Sequence, residues 1–363
     1  MDRRSFLRTT ALGGSAAAAT ALATPAVAAS HASVEKLTLV TSWGRGLAGV
    51  FDAAQFFADA VNAMSDGTME IEIKAAGELV GALEVFDAVS SGQADIYHSA
   101  DYYFTGQHPA FAFFTGVPFG MTATEHNNWY YHGGGREHHD ALGAVFNLKP
   151  FNAGNTSTQA GGWFRKEING PEDFNGLKFR MPGLGGKALG YLGASVQNIP
   201  GSEVYQALSS GAIDGTEWIG PWADEKAGFQ EITKFYYTAG FHEPSAALSA
   251  SVNLERYNTL SPAHQKILEI AAGATNIWSM SQYLNNNGAA LSRLAAGGVK
   301  VLEFPDSVWD AFGVASQKVY DEFLGDDLFA QILGEYRTSM KDSSGWISKA
   351  ATTYTRQRDR VLG

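Results

Sequence analysis

Arg180 is the residue whose type and position most directly suggest ligand chemistry. A guanidinium group presents a planar fork of donors that matches a carboxylate with two parallel hydrogen bonds, whereas a lysine offers only a point charge. Arg180 ends a strand-like segment, residues 177–180, and precedes Pro182 and three glycines that let the backbone approach a ligand. The residues alone leave two interpretations open: a carboxylate-binding arginine, or an ordinary arginine in a surface salt bridge.

A second group of residues could hold a hard cation. Such ions are bound by carboxylate, amide and main-chain carbonyl oxygens. Glu217 can supply the carboxylate, Gln159 the amide oxygen and Trp218 a main-chain carbonyl. A cation there would bridge Glu217 to the oxygens of a bound carboxylate. The chemistry leaves a second interpretation open, in which Glu217 pairs directly with Arg180.

The elements that must position these residues alternate between strands and helices. A strand over residues 36–40 precedes a helix over 48–64, whose apolar residues recur at helical spacing. An alternating strand over 69–74 and a helix over 80–91, capped by Gly92, come next. The final third is mainly helical, with a short strand over 299–302. This order predicts an α/β fold with a helical C-terminal region.

A twelve-residue segment occurs twice in the chain. Residues 84–95 and 203–214 are identical at seven of twelve positions, at an offset of 119 residues. That period is far too long for a solenoid. Both copies predict an amphipathic helix, a glycine cap and a strand, which indicates two lobes built on one plan. Two similar α/β lobes around a central cleft are the architecture of hinged solute receptors.

Residues 1–28 have the features of a signal peptide. A basic head with Arg3 and Arg4 precedes an apolar, alanine-rich run, and the small residues around Ala28 form a cleavage site. The paired arginines predict the twin-arginine export route and therefore a periplasmic protein. The apolar run is too short to span about 30 Å of hydrocarbon, so we expect no membrane span in the mature chain.

Composition excludes several classes of function. Removing residues 1–28 leaves 23 basic and 36 acidic residues, a net charge of −13, which disfavours a nucleic-acid partner. An anionic ligand must then be held by a local positive charge. The chain has no cysteine, so disulfides, thiolate catalysis and Cys-ligated zinc are excluded.

Several ordered motifs resemble the receptors of tripartite ATP-independent periplasmic (TRAP) transporters, across nearly the whole mature chain. They are residues 176–180, 192–194, 203–208 and 211–218. The closer resemblance is to the branch that binds 2-oxo acids such as pyruvate, through residues 102–103, 131–135, 154–156, 159–165, 217–218, 221 and 224–226.

The resemblance implies a function, a fold and a set of site residues. It implies a two-lobed periplasmic solute-binding protein fold with a hinged cleft. It also implies that the protein binds a short 2-oxo or 2-hydroxy monocarboxylate and delivers it to the membrane subunits of a TRAP transporter. It further implies a sodium ion beside the ligand, with calcium as the alternative, and a homodimer held by the C-terminal helix. We predict lobe 1 over residues 31–156, lobe 2 over 157–246, and a return to lobe 1 with inter-lobe helices and a dimerisation helix over 247–363.

Individual residues follow from the same resemblance. Arg180 matches the family's arginine that binds the ligand carboxylate. The resemblance assigns the ion to Gln159, Glu217 and Trp218. The other substrate-binding candidates are Asn155, Tyr103 and Glu243, together with Gln159 and Trp218. The chain departs from the branch around Glu243, which follows Phe241-His242, and at Phe104, where the branch has another tyrosine. These departures concern the far end of the pocket and hence the size of the substrate.

Other interpretations are weaker. A secreted hydrolase is disfavoured because the chain has no G-x-S-x-G elbow, no H-E-x-x-H and no cysteine nucleophile, so we expect a non-enzymatic protein. A second interpretation stays open, in which the protein is a sensor subunit that presents ligand to a signalling receptor. Ligand capture and lobe closure have the same physical basis whichever membrane partner then binds the closed protein. His138 and His139 point in different directions on a helix, which predicts a solvated face instead of a metal cluster.

Overall fold

The strands of the computed structural model, which describes residues 34–363, form two sheets. The predicted signal peptide, residues 1–28, lies outside the described residues. The strands are β1 (Glu35–Thr41), β2 (Met69–Lys74), β3 (Ile96–Ser99), β4 (Leu148–Asn155), β5 (Gly162–Phe164), β6 (Lys178–Arg180), β7 (Ser195–Gln197), β8 (Gly215–Thr216), β9 (Phe235–Tyr237), β10 (Ala247–Asn253) and β11 (Lys300–Leu302).

The helices pack around these sheets, and the last third of the described chain is mainly helical, as predicted. They are α1 (Val50–Met64), α2 (Val85–Ser90), α3 (Ala123–His132), α4 (Gly135–Val145), α5 (Gly183–Tyr191), α6 (Gly201–Ser210), α7 (Pro221–Ala227), α8 (Leu254–Thr259), α9 (Pro262–Ala296), α10 (Asp306–Phe323), α11 (Asp327–Ile347) and α12 (Thr353–Leu362). A π-helical turn, Ser348–Thr352, joins α11 to α12. Within residues 34–363, no helix combines the length and the apolar character needed to cross a bilayer.

The first sheet has the strand order β2-β1-β3-β10-β4. Strand β1 runs parallel to both β2 and β3, and β10 lies antiparallel between β3 and β4. In β2, Met69 and Ile71 are buried while Glu70 and Glu72 are exposed, which confirms the predicted half-buried strand. The helix α1 covers this sheet with residues spaced three and four apart: Val50, Ala53, Ala54, Phe57, Ala58 and Val61.

The second sheet has the order β11-β9-β5-β8-β6-β7. Its central part is mixed, because β6 runs parallel to β7 and β8 while β5 lies antiparallel to β8 and β9. The register pairs Arg180, the last residue of β6, with Thr216, the last residue of β8. Side chains that follow these two strand ends therefore meet at one edge of the sheet.

The internal repeat occupies equivalent places in the two sheets. Helix α2 leads through Gly92 into β3 of the first sheet, and α6 leads through Gly211 into β8 of the second. Both glycines have positive φ, 79° and 76°, a conformation that favours glycine. The two-lobed α/β fold is thus confirmed. One boundary is wrong: α2 begins at Val85, not at residue 80, because the Glu84 carboxylate accepts a hydrogen bond from the Gly81 amide and holds a turn there.

The chain passes between the two sheets along three segments. The first follows β4, the second precedes β10, and the third is α9, which is 35 residues and about 52 Å long. Helix α9 packs on β4 and α1 in one lobe and on α7 in the other. Asn155 and Gln159 lie on the first crossing, and His242 and Glu243 lie on the second. The crossings therefore carry polar residues into the space between the lobes.

Candidate functional site

Arg180 is fully buried at the meeting point of the lobes. Its side chain is 1% exposed, and its Nη1 donates to the Glu217 carboxylate. Its Nε donates to the carbonyl of Ile199 at 3.2 Å, and its Nη2 donates to the Tyr103 hydroxyl at 3.3 Å. The ring of Trp218 lies 5.3 Å from the guanidinium carbon, within cation–π range. The guanidinium thus joins residues of both lobes.

The charge of Arg180 is preserved despite its burial. Burial alone would lower its pKa, but the neighbouring charge of Glu217 raises it, and the pKa lies above its ordinary value. Glu217 follows β8, and its amide donates to the Arg180 carbonyl at 3.2 Å. The strand register therefore brings the two residues together, and the salt bridge considered as an alternative in the sequence is present, although it is buried.

The Arg180 pair uses only one oxygen of Glu217. The second, Oε2, is buried and has no hydrogen-bond partner among residues 34–363. The same holds for Oε1 of Gln159 and Oε2 of Glu243. Buried acceptors of this kind normally have a partner, because an unsatisfied polar group costs about 1–3 kcal/mol. Carboxylate and amide oxygens are the ligand atoms that a hard cation prefers, so these three residues could bind a cation.

Glu243 adds a second carboxylate to the same buried space. Burial raises its pKa well above the ordinary range, and the charge of Glu217 raises it further. Its main-chain carbonyl accepts a hydrogen bond from the Gln159 amide at 3.2 Å, so the two crossing segments lie side by side here. Two carboxylates therefore share one guanidinium group, and the raised pKa of Glu243 means that a further positive charge is needed before both carboxylates are ionised.

Asp224 fixes the segment that carries Glu217 and Trp218. Its carboxylate accepts hydrogen bonds from the amides of Ile219 and Gly220, each at 3.0 Å, and from Nε1 of Trp163 at 2.9 Å. Burial raises the pKa of Asp224 to about 7, although the three donors favour its ionised form. These hydrogen bonds fix the loop that follows β8 and thereby position Glu217 and Trp218.

A small cavity lies beside this cluster. Its volume is about 10 Å³, which is room for about one water molecule, and it is lined from both lobes by Trp43, Val50, Ala100, Tyr102, Tyr103, Thr156, Gln159, Trp218, Ile219, Ala246 and Leu248. Three of the residues singled out in the sequence thus line one cavity. The cleft is closed, and entry of any organic acid requires the lobes to separate.

Asn155 lies next to this group without joining it. Its side-chain oxygen Oδ1 accepts from the Ser157 amide at 2.7 Å, and its main-chain amide donates to the Ser279 hydroxyl on α9 at 2.8 Å. Its side-chain nitrogen is buried without a partner among the described residues. None of its hydrogen bonds within residues 34–363 reaches Arg180 or Glu217.

Sequence reasoning missed His242 as a site residue. It is 2% exposed, and its Nε2 lies 3.4 Å from Oε2 of Glu217 without hydrogen-bond geometry. The available signal was the departure from the family pattern immediately before Glu243. The solvated face predicted for His138 and His139 is wrong for His139, which is 1% exposed, donates from Nε2 to the Asp101 carboxylate at 2.9 Å and stacks on Phe114.

Comparison with known proteins gives a consistent set of relatives. A curated monocarboxylate 2-oxoacid-binding periplasmic protein of Nostoc sp. is 40% identical over 353 residues, which cover 95% of this chain and 96% of that protein. A TRAP periplasmic solute-binding protein of Pseudoalteromonas atlantica, solved with bound sodium and pyruvate, is 40% identical with a TM-score of 0.86, covering 89% of this chain and 99% of that one.

A second solved structure is similar over the same range. It is a TRAP transporter solute-binding protein of Bordetella bronchiseptica, a mixed-occupancy dimer with copurified calcium and picolinate. It is 35% identical, has a TM-score of 0.89 and covers 91% of this chain and 98% of that one. The model of the DctP family matches residues 47–326. The chain therefore belongs to the DctP family, the bacterial extracellular solute-binding proteins of family 7.

Proposed function

We propose that this protein is the extracytoplasmic receptor of a TRAP transporter and binds a short 2-oxo or 2-hydroxy monocarboxylate together with a cation. The observation that carries the proposal is the buried Arg180, which lies between two lobes beside a cluster of oxygens that have no hydrogen-bond partner in the described part of the chain. Arg180 would hold the ligand carboxylate by its fork of donors. Family membership and the similarity to proteins that hold 2-oxo acids support the same ligand class.

The cation would be held by Gln159, Glu217 and the main-chain carbonyl of Trp218. It would supply the positive charge that the cleft needs when a ligand anion joins Glu217 and Glu243. Sodium is the ion we propose, with calcium as the alternative, in line with the ions of the two solved relatives. The same ion would favour 2-oxo and 2-hydroxy acids, because their second oxygen adds a ligand.

Tyr103, Asn155 and Glu243 would complete the ligand pocket. The Tyr103 hydroxyl already contacts Arg180 from lobe 1, and the free amide nitrogen of Asn155 is a donor of the kind that a ligand oxygen needs. The lobes would comprise residues 31–156 and 157–246. Residues 247–363 would return to lobe 1 and supply the inter-lobe helices and the dimerisation helix, while their strand β11 joins the second sheet. Export by the twin-arginine route to the periplasm completes the proposal.

A thermal-shift screen over short organic acids tests this function. A ligand that binds only the folded state stabilises it by RT ln(1 + [L]/Kd), which is about 2.7 kcal/mol at a concentration of 100 times Kd. We expect 2-oxo and 2-hydroxy monocarboxylates to raise Tm, and sugars and amines to leave it unchanged. A rise in Tm with sugars or amines and none with any carboxylate would contradict the proposal.

The ring of Trp218 gives a prediction about the shape of the site. A Cβ on Gly201, the first residue of α6, would lie 2.1 Å from Cη2 of Trp218. Gly201→Ala is therefore expected to displace this ring and weaken 2-oxo acid binding about tenfold, within the 1–3 kcal/mol typical of overpacking. Titration calorimetry measures the change.

Gly288→Ala is the matched control, because Gly288 lies within α9 and its Cβ would meet open space. Alanine favours a helix by about 1 kcal/mol over glycine, so this variant should bind normally and melt slightly higher. If Gly201→Ala binds like the wild type, the Trp218 ring does not shape the ligand site.

The C-terminal helices would hold a homodimer. Trp346 and Tyr354 are 74% and 67% exposed on the same C-terminal helical stretch, and an exposed apolar patch is typical of an interaction surface. The double substitution Trp346→Ala and Tyr354→Ala is expected to produce monomers that still bind ligand, as is deletion from Asp342 onward. Light scattering at micromolar concentration measures the mass.

Val145→Ala serves as the control for the dimer, since Val145 is equally exposed at 74% but lies on α4. It should leave the mass unchanged. A wild-type protein that is monomeric at micromolar concentration would rule out the dimer without affecting the proposed ligand.

A further inference from the structure

His242 presents both ring nitrogens to a buried space beside Glu217. Nδ1 and Nε2 have no hydrogen-bond partner among residues 34–363, and the side chain is 2% exposed. A buried imidazole normally uses at least one nitrogen, because an unsatisfied polar group is costly. The free nitrogens therefore indicate a group that the residues themselves do not supply.

The glycines around His242 leave room for the imidazole. A Cβ on Gly185 would lie 2.4 Å from Cβ of His242, and a Cβ on Gly240 would lie 2.3 Å from Cε1 of its ring. The ring of Phe241 packs edge-on at 5.7 Å. The backbone on two sides thus fixes the position of the side chain, which is the arrangement that a metal ligand needs.

His242 lies next to two carboxylates at distances that suit one ion. Glu217, His242 and Glu243 each offer a ligand atom, and the three atoms lie within 4.8 Å of one another. Nε2 of His242 is 3.4 Å from Oε2 of Glu217. Ligands at about 2.1 Å from a tetrahedral ion lie roughly 3.4 Å apart, so a small convergence of the side chains completes the set.

The type of donor distinguishes this set from an oxygen-only site. Sodium and calcium prefer oxygen ligands, whereas an imidazole nitrogen favours zinc, cobalt, nickel and related ions. The charges point to a divalent ion as well. A metal ion bound to Glu243 would hold that carboxylate ionised. Two carboxylates and a ligand carboxylate against one guanidinium then leave two negative charges, which one divalent cation balances.

We propose that Glu217, His242 and Glu243 form a site for a divalent transition-metal ion within the ligand cleft, with His242 as the residue that selects it. The inference rests on the proposed function, because the ion would share Glu217 with the 2-oxo acid site. The protein would then bind its ligand with a transition metal as well as with sodium or calcium, and His242 would decide the preference between them.

Cobalt provides the test, because its visible absorption reports its ligands directly. Chelator-treated mature protein is titrated with cobalt chloride and, separately, with calcium chloride, by calorimetry and visible spectroscopy, with and without pyruvate. His242→Gln keeps a polar side chain of similar reach and loses the imidazole. We expect this variant to bind cobalt at least about tenfold more weakly, with an altered absorption spectrum, while calcium affinity changes by less than about threefold.

Two further measurements keep the outcome clear. His132→Gln removes an exposed histidine and should leave cobalt binding intact, which excludes a surface site. In the cobalt-loaded wild type, we expect a paramagnetically shifted imidazole N–H resonance that exchanges in heavy water, so the test stands even if His242→Gln folds poorly.

The inference and the proposed function fail in different ways. Equal cobalt affinity in the wild type and His242→Gln, or the absence of a shifted imidazole resonance, overturns the inference while pyruvate binding with sodium or calcium still stands. Absence of pyruvate binding with sodium, calcium and cobalt alike overturns the proposed function and the inference together.

Discussion

Replacing Arg180 with lysine is expected to weaken the binding of a 2-oxo acid by roughly 30- to 5,000-fold. The reason is geometric, since lysine keeps the charge and loses the fork of donors that Arg180 directs at Glu217, Ile199 and Tyr103. Loss of a buried, charged hydrogen-bond partner costs about 2–5 kcal/mol, which sets the range.

Titration calorimetry on Arg180→Lys measures this loss, with circular dichroism to verify the fold. Arg256→Lys is the matched control, because Arg256 pairs with Glu35 and Asp95 at a partly exposed position away from the cleft. It should bind like the wild type. Near-wild-type affinity in Arg180→Lys would refute its assignment as the carboxylate-binding residue.

Removal of metal ions is expected to reduce ligand affinity by at least about 30-fold. Glu217 already pairs with the single charge of Arg180, burial holds the pKa of Glu243 well above its ordinary value, and a ligand carboxylate adds another negative charge. Burying that surplus without a cation is costly at the low dielectric of a closed cleft. The experiment repeats the titration after chelation, with choline as the only cation.

Glu217→Gln should reproduce this loss, because a neutral amide holds a cation poorly. The exposed Glu231 supplies the control, and Glu231→Gln should bind normally in sodium. Undiminished binding in metal-free buffer would mean that Glu217 serves only its pair with Arg180, and the proposed cation would be wrong.

Local periodicity predicted most of the elements that build the lobes. Strand β1 and helix α1 lie within two residues of their predicted bounds, because their apolar residues recur at the period of the element they form. Helix α2 was predicted five residues too early, because the hydrogen bond that the Gly81 amide donates to the Glu84 carboxylate stabilises a turn that the apolar pattern does not show.

The residues of the site are brought together by tertiary contacts, which the local apolar pattern of the sequence does not reveal. Arg180 and Glu217 meet because two parallel strands end in register, and His242 reaches them from a crossing segment between the lobes. His139 shows the same limit. Its place beside His138 predicted a solvated face, yet the ring is buried and donates a hydrogen bond to the carboxylate of Asp101 on a segment distant in sequence.

The most direct test of the account is a pair of calorimetric titrations of the mature wild-type protein in sodium-containing buffer, one with pyruvate and one with propionate. The two acids share a carboxylate and a three-carbon chain, and only pyruvate has the 2-oxo oxygen that the proposed cation would bind. The account predicts saturable binding of one pyruvate per chain and at least about tenfold weaker binding of propionate, the loss expected for about 1.4 kcal/mol of interaction. Equal affinity for the two acids, or no binding of pyruvate at millimolar concentration, would contradict it.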